Sequence, residues 1–197
     1  ITTDGPSGIR LLSYCSLIPN GTALASTFNT DLVEKVYAKI SEELKAKGSD
    51  ILLAPGMNIH RNPLCGRNFE YFSEDPLITG EMAAAVVLGT QNNPDGTPSG
   101  HYATVKHFAA NNAEIHRLES DSVVSERALR EIYLRGFEIA IKKSNPMFLM
   151  TAYNKVNGVY CTENSYLQRD ILKQWNYHGI IMSDWGACYD RTLSLKA

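Results

Sequence analysis

The segment GIIMSDWGA, residues 179–187, ends a short apolar run with a carboxylate, an indole and a glycine. An aspartate where a buried strand stops can attack an anomeric carbon, while the adjacent indole offers an apolar face to a sugar ring. The same Asp184 can instead cap the next helix, and on this segment alone both readings stand. Other apolar runs end in comparable chemistry. TDGPSGIR, residues 3–10, puts Asp4 and Arg10 on a glycine-containing loop; the run from Ile51 to Ala54 leads to APGMNIHRNPLCGRNFEYFSEDP, which carries Arg67; Tyr102 to Lys106 leads to His107; Phe148 to Ala152 leads to Tyr153. Asp4, Arg10, Arg67, Lys106, His107, Tyr153, Asp184 and Trp185 together make a set that hydrogen-bonds several hydroxyls and keeps a carboxylate ionised through nearby cations.

Singly, each of these residues has a plainer reading. Arg10 and Arg67 suit surface ion pairs, His107 a hydrogen-bonded structural role, and Tyr153 the core. The joint pattern at five strand ends favours a pocket, because barrels of alternating strands and helices gather their chemistry at the carboxyl ends of the strands. Glu70 and Glu74 lie close enough to suggest a carboxylate pair, but Glu70 reads as the partner of an arginine and Glu74 as part of a helix start. Gly5 and Gly8 lack the Gly-Lys-Ser/Thr of a phosphate loop. His60, His101, His107, His116 and His178 show no metal-ligand spacing, and the four cysteines form no CxxC pair, so neither a metal nor an organic cofactor is expected. Cys15, Cys65, Cys161 and Cys188 read as free or buried thiols, with a disulfide left open. Asn20-Gly21-Thr22 fits the glycosylation triplet, which is common by chance.

The elements that must position these groups alternate. Strand-like runs at 51–54, 102–106, 148–152 and 179–182, with one ending near Thr3, are separated by helical patterns. Thr30 or Asp31 can cap a helix bearing Leu32, Val36, Ile40 and Leu44 and ending at Gly48. Pro76 sits at the first position of the next, which runs through the alanine-rich Met82–Leu88. Ser125 can cap a third, whose apolar stripe from Leu129 to Ile141 stops before Pro146. Thr162 opens a fourth, carrying Leu167, Ile171 and Trp175. Asn92 to Gly100 reads as an exposed loop. Such alternation implies an α/β fold with a parallel sheet covered by helices. A full eight-stranded barrel takes about 250 residues, so 197 residues hold about five of its strands.

Composition bounds the partners. The net charge of −2 gives no basic footprint for nucleic acid, and no apolar run approaches a membrane span. The chain begins at Ile1 inside a motif and stops in a helical pattern. It is therefore expected to be a piece of a longer protein, and it carries no information on compartment.

The motifs TDGPSGIR, LLAPGMNIHRNPLCGRNFEYFSEDP, VKHFAANN, SERALREIYLRGFEIAI, TAYNKVNG and GIIMSDWGA, in this order, resemble the N-terminal barrel domain of glycoside hydrolase family 3, the β-glucosidase and β-xylosidase family. The resemblance covers nearly the whole chain. It implies an incomplete TIM-like (β/α) barrel over residues 1–197, a partial catalytic domain. In it Asp184 is the nucleophile of a retaining mechanism, and Asp4, Arg67, Lys106 and His107 are hydroxyl ligands. Arg10 supports the pocket, Tyr153 stands near the nucleophile, Trp185 walls the first sugar subsite, and Arg117 also reaches the site. It further implies that the remaining barrel strands and a second α/β domain, the source of the acid/base glutamate, lie outside this chain. Lys106-His107-Phe108-Ala109-Ala110-Asn111-Asn112 departs from the KHFPGHG-like segment of the family's N-acetylglucosaminidases. The expected activity is exo-acting hydrolysis of terminal β-D-glucosyl residues in a β-glucoside or oligosaccharide. A β-xylosidase or mixed-specificity glycosidase, and an inert sugar-binding remnant, are the alternatives.

Overall fold

The computed structural model describes residues 1–197. Five parallel strands form one sheet: β1 (Thr2–Asp4), β2 (Ile51–Leu53), β3 (Tyr102–Phe108), β5 (Phe148–Thr151) and β8 (Ile180–Ser183), in that spatial order. Between β3 and β5 comes β4 (Asp121–Ser122), which with β6 (Lys155–Val156) and β7 (Val159–Tyr160) makes a small second sheet beyond the strand ends. Each main strand pairs with the next main strand along the chain, as in one arc of a barrel, and β1 and β8 are the arc's two edges. The barrel is not closed: on β8, Ile180 and Ile181 are 54% and 37% exposed, where a further neighbour would cover them.

Helices lie outside this sheet. They are α1 (Gly21–Ala25), α2 (Thr30–Lys47), α3 (Pro76–Gln91), α4 (Glu126–Ala128) continuing through a wide turn into α5 (Arg135–Ser144), α6 (Leu172–Gln174) and α7 (Arg191–Lys196). The stripe of α2 that faces inward is Val33, Tyr37, Ile40 and Leu44, spaced by helical repeats. The central helix α3 is apolar around most of its circumference because α2 and α5 pack on either side of it. Small residues permit that approach. A Cβ on Gly89 would stand 2.2 Å from the Glu34 carbonyl oxygen of α2, and one on Gly80 would stand 2.6 Å from the Ile139 Cβ of α5.

The expected strands appear with shifted ends, and β3 runs two residues further than expected, to Phe108. It carries a bulge at His107: Lys106 pairs with Met150 while Phe108 pairs with Thr151. Two capping expectations are corrected. Asn29, not Thr30 or Asp31, caps α2 by accepting from the Leu32 amide at 2.9 Å. Thr162 opens no helix, since its hydroxyl donates to the Ala187 carbonyl at 2.7 Å, and Asn164 accepts from the Leu167 amide instead. Ser125 caps its helix as expected, but the stripe after it passes through a five-residue π-type turn, Leu129–Tyr133, before α5, while Asp75, just ahead of Pro76, caps α3. All four cysteines are free thiols.

Candidate active site

A cavity of about 1010 Å³ opens at the carboxyl ends of the five main strands. Asp4, Arg10, Arg67, Lys106, His107, Tyr153, Asp184 and Trp185 all line it, as do Glu70, Glu114 and Arg117. The strand ends converge because parallel pairing in register brings Asp4 beside Leu53, Lys106 beside Met150 and Thr151 beside Ser183. Adjacent residues of a regular strand point to opposite faces. The bulge at His107 breaks that alternation, so Lys106 and His107 both reach the cavity.

Lys106 is 3% exposed, and its ammonium donates to Asp4 Oδ1 at 2.5 Å. Arg67 Nε donates to Glu70 Oε1 at 2.5 Å, so Glu70 is an arginine's partner. Arg117 donates to Glu114 at 2.9 Å and lies over the Tyr153 ring, 4.7 Å from its centre. Arg10 is 4.0 Å from Asp4 and largely exposed, which places it on the rim rather than in the wall. Three cations of the wall are thus each matched to a carboxylate. Of the four carboxylates lining the cavity, Asp184 has no lysine or arginine within ion-pair distance.

The nearest basic group to Asp184 is His107, whose Nε2 is 3.6 Å from Oδ2. It is not an ion-pair partner. Burial, then the positive charges of Arg67, Lys106 and Arg117, holds the imidazole well below its ordinary pKa of 6.5. Hydrogen bonding agrees: Arg67 Nη2 stands 2.8 Å from His107 Nε2, and a guanidinium only donates, so Nε2 accepts and the proton resides on Nδ1. Asn58 clamps the histidine, accepting from its backbone amide at 3.0 Å, facing Nδ1 at 3.3 Å, and donating to its carbonyl at 2.9 Å.

Asp184 is 8% exposed and held by its own turn. Its amide donates to the Thr151 carbonyl at 3.2 Å, its Oδ1 accepts from the Trp185 amide at 2.8 Å, and its carbonyl accepts from Ala187 at 3.0 Å. No helix starts there. The helix α7 begins at Arg191, with Asp190 as its cap, and this removes the capping role from Asp184. Burial, followed by the adjoining Asp184 carboxylate, pushes the Tyr153 hydroxyl up to about 12, so it stays protonated and able to donate to that carboxylate. Trp185 is 63% exposed at the mouth.

Sequence reasoning did not single out Asn58, Tyr71 or Glu114. Asn58 and Tyr71 touch His107 only because the loop after β2 folds across the end of β3, a contact between positions far apart in the chain. Glu114 sits three residues from Arg117, a spacing that signals a pair. No group of three or more His, Cys, Asp or Glu is placed to hold a metal, and no helix is long and apolar enough to cross a membrane.

Parallel strands, outer helices and a cavity at the strand carboxyl ends lined with carboxylates, cations and aromatics define an arc of a (β/α) barrel with its ligand-binding face. The sequence from residue 1 to 192 matches the glycosyl hydrolase family 3 N terminal domain. The chain belongs to that family. It is 46% identical to the thermostable beta-glucosidase B of Acetivibrio thermocellus, over 99% of this chain and 27% of the relative. It is 43% identical to the exo-alpha-(1->6)-L-arabinopyranosidase of Bifidobacterium longum, again over 99% and 27%. The solved structure of beta-glucosidase 3B from Thermotoga neapolitana in complex with glucose superposes with a TM-score of 0.92 at 50% identity, covering 99% of this chain and 28% of that one. The chain therefore spans a little over a quarter of the length of these relatives.

Proposed function

We propose that the protein containing this chain hydrolyses terminal non-reducing β-D-glucosyl residues by retaining double displacement, with Asp184 as nucleophile. The observation that carries this reading is the isolation of Asp184. It is the cavity carboxylate without a cationic partner, so its lone pairs are not committed to an ion pair. A carboxylate oxygen attacks the anomeric carbon, the bond to the leaving oxygen breaks, and that oxygen takes a proton from an acid outside this chain. Water then attacks the glycosyl-enzyme, giving its proton to the same group and freeing Asp184.

The other residues take the supporting roles. Asp4, Lys106, Arg67 and neutral His107 bind sugar hydroxyls, Arg10 closes the rim, Tyr153 donates to Asp184, and Trp185 stacks on the ring. The remaining barrel strands and a second domain complete the site; the open edges of the sheet and the greater length of the relatives support this.

A second reading, a pyranosidase of mixed specificity or a β-xylosidase, is favoured by the 43% identity to an arabinopyranosidase. Rates of the complete enzyme on aryl β-glucoside, β-xyloside and α-L-arabinopyranoside separate the two. The glucosidase reading expects the glucoside to lead in kcat/KM. Equal rates on all three favour mixed specificity. Asp184→Asn is expected to lose several orders of magnitude on every substrate; an unaffected rate sinks Asp184 as the nucleophile, whereas no turnover of any of the three glycosides by the complete wild-type protein leaves the sugar-binding remnant.

A further inference from the structure

A second cavity, of about 230 Å³, lies between the segments 110–113 and 120–124. Eight buried side-chain polar atoms in the chain have no partner in the protein, and four of them belong to three asparagines lining this cavity. They are both amide atoms of Asn111 and the Oδ1 atoms of Asn112 and Asn154. Asn111 and Asn154 are each 1% exposed. The orientations of Asn112 and Asn154 are fixed. The Asn112 Nδ2 donates to the Ile59 carbonyl, and the Asn154 Nδ2 donates to the Ala109 and Lys155 carbonyls at 3.2 and 2.9 Å, leaving each Oδ1 free.

The rest of the wall has a different character. Tyr133 and Val123 line it, and the Arg61 guanidinium sits over the Tyr133 ring, 5.7 Å from its centre. Three acceptors and one amide donor therefore share a cavity with an aromatic side chain and an aliphatic one. Hydroxyl groups both donate and accept, and they are carried on C–H faces that pack against aromatic and aliphatic carbon. A metal cation would leave the Asn111 amide donor unmatched, and an anion would meet three amide acceptors together with the Asp121 carboxylate, which also lines the cavity. The space equals that of about eight water molecules, enough for one small polyol.

We propose that this cavity binds a small polyol, an open-chain or cyclic compound with three or more adjacent hydroxyls, at a site separate from the cavity that holds Asp184. The proposal does not depend on the role of Asp184.

The test is hydrogen exchange of the complete protein, read by mass spectrometry peptide by peptide, with xylitol as probe. Polyols also slow exchange everywhere by exclusion from the protein surface. The informative signal is therefore protection confined to residues 108–124 and saturable with xylitol. At ten times its Kd a ligand slows exchange through a local opening by about elevenfold. Asn111→Leu, which removes both unpaired amide atoms, should abolish the local protection. Should that variant fold poorly, Val123→Trp, at an 83% exposed rim position, narrows the mouth without touching the amides and should abolish it too. Protection spread evenly over the chain, protection confined to the peptides around Asp184, or local protection surviving in a folded variant would each overturn the proposal.

Discussion

Lys106 and Asp4 form an ion pair whose two halves are unequally dry, and that inequality makes a sharp prediction. The Lys106 side chain is 4% exposed while that of Asp4 is 41% exposed. Asp4→Ala strands an ammonium inside the protein. Breaking a buried pair by removing one partner costs about 3–5 kcal/mol. Lys106→Met is different. It removes the buried charge together with its desolvation cost and leaves Asp4 in contact with water, so the change should stay within about 1 kcal/mol. Urea unfolding of the complete protein and both variants measures this through the transition midpoints. Equal losses from the two substitutions would refute the placement of this pair.

Two further outcomes follow from the site. His107 is neutral in the fold with its pKa depressed, so below about pH 6.5 the unfolded state binds a proton that the folded state refuses. Its contribution to stability is intact above that pH and lost as pH falls, by at most about 1.4 kcal/mol per pH unit; His107→Asn should flatten this slope in thermal melts taken between pH 4.5 and 7. Tyr153→Phe removes a donor from an ionised carboxylate, worth about 1.5–3 kcal/mol, so kcat/KM on an aryl glucoside should fall by about 10- to 150-fold with the fold unchanged.

Much of this architecture is legible in the residues themselves. Four of the five main strands are apolar runs that end in polar residues, the signature of strands in a parallel sheet; β1 is Thr2-Thr3-Asp4 and shows in the sequence only through the motif that follows it. The eight expected cavity residues are brought to one cavity because parallel strands place all their carboxyl ends on one side of the sheet. What was not legible depends on long-range contacts. Nothing near Asn58 announces that it will clamp a histidine 49 positions away. The pairing of Lys106 with Asp4, which leaves Asp184 isolated, spans 102 positions. Local capping was misread where tertiary demands prevailed: Thr162 has the right chemistry for a cap but spends its hydroxyl on Ala187, tying the start of one segment to the loop after β8.

The central claim is that Asp184 forms the covalent bond to sugar. A 2-deoxy-2-fluoro-β-glucoside with an activated leaving group slows release of the glycosyl-enzyme, so the complete enzyme should gain the mass of one fluorosugar. Digestion and peptide sequencing should then place the label on Asp184, within the peptide that spans Ser183 to Asp190. Label on another carboxylate of the cavity, Glu70 or Glu114 above all, or turnover of the fluoroglycoside by Asp184→Asn at the wild-type rate, would contradict the account.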